Sequence, residues 1–253
     1  MGNEIVTTTC KLCQTQKKLA KAHIIPKSII TLLKADENPL QIMYSNPRAF
    51  SKKSQIGPYD KNILCVKCDN FLGSYDDYGQ KFFSKTIDDY PIKVLGPNAR
   101  FIEAKNFSYN KVKMFLLSIL WRASVANLDV FSAVNLGPYE DIIRISLLKR
   151  EVLNDNRFSI IIFRYNYDPL KVPTLMPFKD VMAGVNYYRL YLLNFLIFIK
   201  VDQRSFPEEF YPLILKKNKT LPIILLNYET SKELEIMRMI IGLDNNATRF
   251  RNL

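Results

Sequence analysis

Apolar positions along the chain follow two patterns. Over residues 111–134 they surround a helical wheel on nearly every side: Met114, Phe115, Leu116, Leu117, Ile119, Leu120 and Trp121, with Ser118 and Arg122 breaking the run. Such a segment predicts a buried helix, with Trp121 in the core. A second helix is predicted after Pro138, from Tyr139, Ile142, Ile143, Ile145, Leu147, Leu148 and Val152. The pattern then changes. Residues 158–163, 187–201 and 222–228 are runs of Ile, Phe, Tyr and Leu, and predict strands. Pro169, Pro173, Pro177, Pro207 and Pro212 mark the connectors between them. Residues 231–241 predict a closing helix, started by Ser231 and ended by Gly242, with a mobile tail from Asp244.

The first hundred residues are less regular. Pro26 predicts an extended His23-Ile24-Ile25 and a helix over residues 27–33. Residues 16–21 predict one strand of a hairpin leading into His23. Residues 35–59 read as a loop, with Pro39, Pro47, Pro58 and the Ser51-Lys52-Lys53-Ser54 cluster. A helix is predicted from Asp69, with Asp69 or Asn70 as its cap and Phe71, Leu72, Tyr75, Tyr78, Phe82 and Phe83 on its apolar positions. One or two short strands follow around Gly96-Pro97-Asn98. The expectation is an α+β chain with two domains, 1–92 and 105–253, the second a mixed α/β unit with a buried helix pair and strands.

Charge adds a partner class. The 253 residues carry a net charge of +12, and residues 1–57 hold nine Lys/Arg against three Asp/Glu. That excess favours an anionic partner, nucleic acid first and a membrane surface second. A diffuse basic surface that only aids solubility is the alternative. No membrane span is predicted, because the most apolar run, 190–199, holds Asn194 and is stopped by Lys200. The first residues lack the apolar core of a secretory signal, which predicts a cytoplasmic protein.

The chemistry is concentrated near the start. Cys10-Lys11-Leu12-Cys13 and Cys65-Val66-Lys67-Cys68 contain every cysteine, and His23, the only histidine, lies between them. Two Cys-x-x-Cys pairs can close a tetrahedral thiolate cage, for which zinc is the usual occupant. Two disulfides, a redox pair or four unrelated thiols are the alternatives.

The order Cys-x-x-Cys, His23-Ile24-Ile25-Pro26, Cys-x-x-Cys and helix resembles the zinc-stabilised branch of the HNH endonuclease family. It is also similar to a group of uncharacterised bacterial proteins with an acidic-aromatic helix, here Ser74-Tyr75-Asp76-Asp77-Tyr78. The nuclease resemblance covers residues 10–80. It implies an N-terminal ββα, treble-clef-like unit with structural Zn2+ on Cys10, Cys13, Cys65 and Cys68. His23 would be the general base, and Asp69 would help to hold a catalytic Mg2+ or Mn2+. The implied activity is cleavage of DNA or RNA, in phage defence or mobile-element biology. The chain departs from the family's pattern at Ala22 and Gly73, where ion ligands are common, and at Asp60, where an asparagine is usual. Asp69 as a helix cap, Asp76 and Asp77 as solvated carboxylates and His23 as a structural imidazole are the alternatives. Two further readings follow. One is a degenerate zinc-finger module that holds nucleic acid through Lys17, Lys18, Lys21, Lys52 and Lys53. The other is a module that binds a protein partner.

Overall fold

The computed structural model describes residues 8–34, 40–42, 52–54, 56–96, 99–166, 176–235 and 238–239. Its first part consists of short strand pairs that fold the chain back on itself. β1 (Thr8–Thr9) pairs antiparallel with β2 (Gln16–Lys17). Between them the Cys10 N–H donates to Thr15 O at 3.0 Å, and Gln14 takes φ 55°. The expected hairpin strand is present but shorter: of residues 16–21 only Gln16–Lys17 are in it, paired upstream with β1, and His23 lies in a separate strand. β3 (Ala22–His23) is followed by α1 (Lys27–Leu32), with Pro26 at its N-cap as expected. β4 (Leu40–Ile42) pairs with β5 (Lys52–Ser54). Residues 35–59 are therefore not all loop; 35–39, 43–51 and 55 lie outside the described residues. β6 (Tyr59–Asp60) pairs antiparallel with β3, and α2 (Val66–Ser84) leaves directly from Cys65. Asp69 and Asn70 are thus not caps. The Asp69 N–H already donates to Cys65 O at 2.9 Å, so the helix starts at the knuckle itself.

The remaining strands form one seven-stranded sheet. β7 (Ile92–Leu95) and β8 (Ala99–Ala104) precede the two central helices, α3 (Tyr109–Val125) and α4 (Tyr139–Lys149). Then come β9 (Ile160–Tyr165), β10 (Phe178–Met182), β11 (Val185–Leu192), β12 (Phe195–Lys200) and β13 (Leu221–Leu226). The order across the sheet is β10-β11-β12-β9-β13-β8-β7, antiparallel except between β13 and β9. The run 187–201 is a hairpin, turned at Leu193 (φ 55°) and Asn194. β10 was not predicted. It lies at the sheet edge, its burial alternates, and it joins β11 through Ala183 (φ 48°) and Gly184 (φ 79°). Positive φ at both positions is what a two-residue hairpin turn requires.

Successive strand residues point to opposite faces. Ile160, Ile162, Leu190, Ile197 and Ile199 join the core with α2 and α3. Ile161, Phe163, Tyr187, Tyr191 and Phe198 form a second core on the other face with Phe206 and Ile214. Both faces are covered, which is why these strands read as unbroken apolar runs. On the second face Ser231 Oγ accepts the Leu234 N–H at 3.1 Å, and residues 232–235 and 238–239 are helical. The rest of the expected closing helix, at 236–237 and 240–241, and the tail from Asp244 lie outside the described residues.

α3 is buried from Val112 to Ala123, as its composition predicts. It stops at Val125 and does not continue to residue 134, because Ala126 turns extended and the Asn127 N–H donates to the buried Asp60 carboxylate at 2.9 Å. One core runs from Cys10 and Leu12 through α2 and α3 to Ile223, and β7 and β8 belong to the large sheet. The α2–α3 contact depends on Gly79: a Cβ there would lie 2.3 Å from the Phe115 ring. Gly79→Ala is therefore expected to destabilise the protein by about 1–3 kcal/mol through overpacking. A denaturant melt checks this. Gly73→Ala, with open space around the new methyl, should raise stability by about 1 kcal/mol.

Candidate functional site

The four cysteines converge. Their sulfur atoms all lie within 4.8 Å of one another, with Cys13 Sγ and Cys65 Sγ 3.9 Å apart, and none is in a disulfide. Tetrahedral zinc with bonds of about 2.3 Å would place its sulfurs about 3.8 Å apart. The cluster could hold a metal ion such as zinc. Backbone bonds join its two halves: Lys11 N–H to Ile63 O at 2.8 Å, Ala20 N–H to Leu64 O at 2.7 Å, and a bridge between Leu19 and Cys65. The Cys65 N–H points at Cys10 Sγ, 3.3 Å away, and so favours negative charge on that sulfur. Burial pushes the Cys10 and Cys68 thiols up. It acts the same way on Cys13, but the Thr15 hydroxyl, the Thr15 backbone and the neighbouring thiols outweigh it and bring Cys13 down to about 6. A cation at the centre of the cluster would favour the deprotonated form of all four sulfurs.

His23 stands one strand pair away. Its β3 backbone is opposite Tyr59, whose ring lies 6.0 Å from the imidazole and carries the Lys21 ammonium at 3.9 Å on its face. The ring is half-buried, and Nε2 is buried without a hydrogen-bond partner among the described residues. Burial lowers the imidazole pKa below its ordinary 6.5. Lys21, Lys27 and Arg122 lower it further, against Asp76.

Arg122, which in the sequence only breaks an apolar run, is the centre of this region. Its side chain is 2% exposed. Nη1 donates to His23 O at 3.0 Å and to Asp76 Oδ2 at 2.8 Å; Nη2 donates to Asp76 Oδ1 at 2.7 Å and to Ser118 Oγ at 3.2 Å. Nε reaches Ser118 O at 3.2 Å. Asp76 is therefore not a solvated carboxylate; α3 needs it as the counter-charge of a buried guanidinium. Asp77 is exposed, as expected. Asp69 is half-buried two turns before Asp76 on α2, and burial raises its carboxyl pKa, with Arg122 opposing and Asp76 reinforcing. Asp60 accepts the Asn62 and Asn127 amides, one on each oxygen, and so ties β6 to the end of α3. A lone arginine in an otherwise apolar helix was the readable sign of such a partner.

Lys17, Lys18 and Lys21 are exposed, together with Lys11, Lys27, Lys61 and Lys67. Across residues 8–34 and 56–67 the sole acid is the buried Asp60. Among the described residues these lysines make no ion pair. Lys52 and Lys53 lie in β5. No helix among the described residues is long and apolar enough to cross a membrane. No family model matches the chain, and neither a curated protein nor a solved structure matches it.

Proposed function

We propose that the chain is an HNH-like, metal-dependent nuclease acting on DNA or RNA in a reducing cytoplasm. The observation that carries this reading is His23: an imidazole whose pKa burial lowers, on the strand pair that precedes the four-sulfur cluster's second knuckle and helix α2. A general base must be unprotonated at working pH, and the lowered pKa supplies that condition. The order β3, β6, α2 is compatible with the ββα unit that the resemblance implies. Cys10, Cys13, Cys65 and Cys68 would hold Zn2+ as scaffold. Asp69 is the carboxylate left to ligate Mg2+ or Mn2+, Asp76 being bound to Arg122. One carboxylate plus substrate phosphate oxygens is an adequate set for such an ion, which when bound polarises the phosphoryl oxygen.

In a nicking assay with Mg2+ or Mn2+, His23→Ala is expected to lower the rate by about 10²–10⁴-fold at unchanged zinc content. The wild-type rate should rise with pH and level off. The midpoint of the rise should lie below 6.5, because the base must lose its proton and its folded pKa is depressed. Equal cleavage by the variant would remove His23 from the mechanism. A second reading, nucleic-acid binding without cleavage, is favoured by the buried Nε2, the neutralised Asp76 and the lysine face. It requires an inert wild type whose affinity falls steeply with salt.

A further inference from the structure

Away from the cysteines, a cavity of ≈ 380 Å³ opens between the start of α4, the loop before β9 and the turn after β12. That volume is in the range of small-molecule sites. Its apolar wall is Tyr139, Ile142 and Phe158, with the two aromatic rings edge to face at 5.9 Å. Its polar rim is Asn156, Arg157 and Gln203, all exposed, whose side chains make no hydrogen bond or ion pair among the described residues. The nearby carboxylates are already matched. Asp202 accepts from Arg204 and Asn186, Asp155 from Tyr109, Asp141 from Arg144, and Glu140 from Ser124. Among the described residues that line the cavity, Arg157 is therefore the cation free to receive an anion.

The cavity is also held in shape. The buried Lys113 ammonium donates to the carbonyls of Leu153, Asn154 and Arg157 at 3.1, 2.9 and 3.1 Å, and so fixes the loop that carries Asn156 and Arg157. Phe158 takes φ 51°, in the left-handed region that a bulky side chain rarely adopts. Strained residues of this kind cluster at ligand sites.

We propose that this cavity binds a nucleotide. Its base would lie on Tyr139 and its phosphate on Arg157. An aromatic wall accepts a planar π face, and primary amides both donate and accept, as base edges demand. A guanidinium fork suits a phosphate. The site is independent of His23 and of the nuclease reading. A free nucleotide and an unpaired nucleotide within a strand share this chemistry.

Calorimetric titration of the full chain with the four ribonucleoside monophosphates, with short single-stranded DNA and RNA, and with inorganic phosphate tests it. Saturable binding is expected that Arg157→Ala and Tyr139→Leu each weaken roughly tenfold or more. Both variants should keep the wild-type melting temperature, and Lys17→Ala/Lys18→Ala should keep the wild-type mononucleotide affinity. Mononucleotide binding assigns a free nucleotide as the ligand. Binding only of strands, lost in the same two variants, assigns an unpaired nucleotide. The proposal is overturned if nothing binds, if Arg157→Ala binds as wild type does, or if inorganic phosphate binds as tightly as any nucleotide. Cleavage by His23→Ala is read separately, so failure of the nuclease reading leaves this test intact.

Discussion

Cys65→Ser is expected to abolish zinc binding at the four-sulfur cluster and to destabilise the first third of the chain. The purified wild type is expected to carry about one zinc per chain, the variant almost none. The reason is the position of the sulfurs. Cys10, Cys65 and Cys68 belong to the same continuous core as Leu72, Phe115 and Trp121. Cys65 also starts α2 and bridges to Leu19. Between Cys13 and Cys65 the described residues form short strands and the six-residue α1, elements too short to stand alone. A structural four-thiolate zinc contributes roughly 10–16 kcal/mol of folding free energy, against about 5–15 kcal/mol of net stability for a typical domain. Even partial compensation leaves a loss of several kcal/mol, a fall in Tm of about 10–20 °C for a chain of this size. Metal analysis and a thermal melt check both halves. A chelator should reproduce the effect on wild type, and a reductant without metal affinity should not. A variant that melts beside the wild type would show that the four sulfurs meet without a folding role.

The parts of the fold readable in the sequence were those fixed by local chemistry. Paired Cys-x-x-Cys spacing located the cluster, because two intervening residues turn both sulfurs one way. Pro26 placed the start of α1, and Ser231 capped the last described helix. The apolar density of α3 announced its burial. What the sequence hid was non-local. Asp76 and Arg122 are 46 residues apart, and an acid on an aromatic helix looks solvated until its guanidinium is found. Asp60 stands where an asparagine is usual, yet its Oδ2 ends α3 by accepting the Asn127 N–H while its Oδ1 accepts the Asn62 N–H. β10 alternates with charge and sits among prolines, so it has none of the continuous apolar character that identified its neighbours. The strand pair of β3 and β6 has two residues on each side and is set by closure of the cysteine cluster, which no window of sequence contains.

Arg122→Ala is expected to cost about 3–5 kcal/mol, because it leaves the Asp76 carboxylate, 14% exposed, without its bidentate partner and strips His23 O of its donor. For this chain length that is a Tm fall of about 10 °C. Arg122→Lys should recover little, since one ammonium cannot make two parallel bonds to Asp76 while also reaching His23 O and Ser118. The informative variant is the apolar pair, Arg122→Met with Asp76→Leu. A buried ion pair replaced on both sides is often neutral in stability, whereas either single change leaves an uncompensated charge. The double variant should therefore be more stable than either single one, and a melt of all four proteins gives the coupling directly. It still lacks the bond to His23 O. If the nuclease reading holds, the double variant folds and keeps its zinc, yet cleaves more slowly than wild type because β3 is no longer pinned from behind. Recovered stability with recovered cleavage would confine Arg122 to the core. Recovered stability with cleavage still depressed would make it the residue that positions the base.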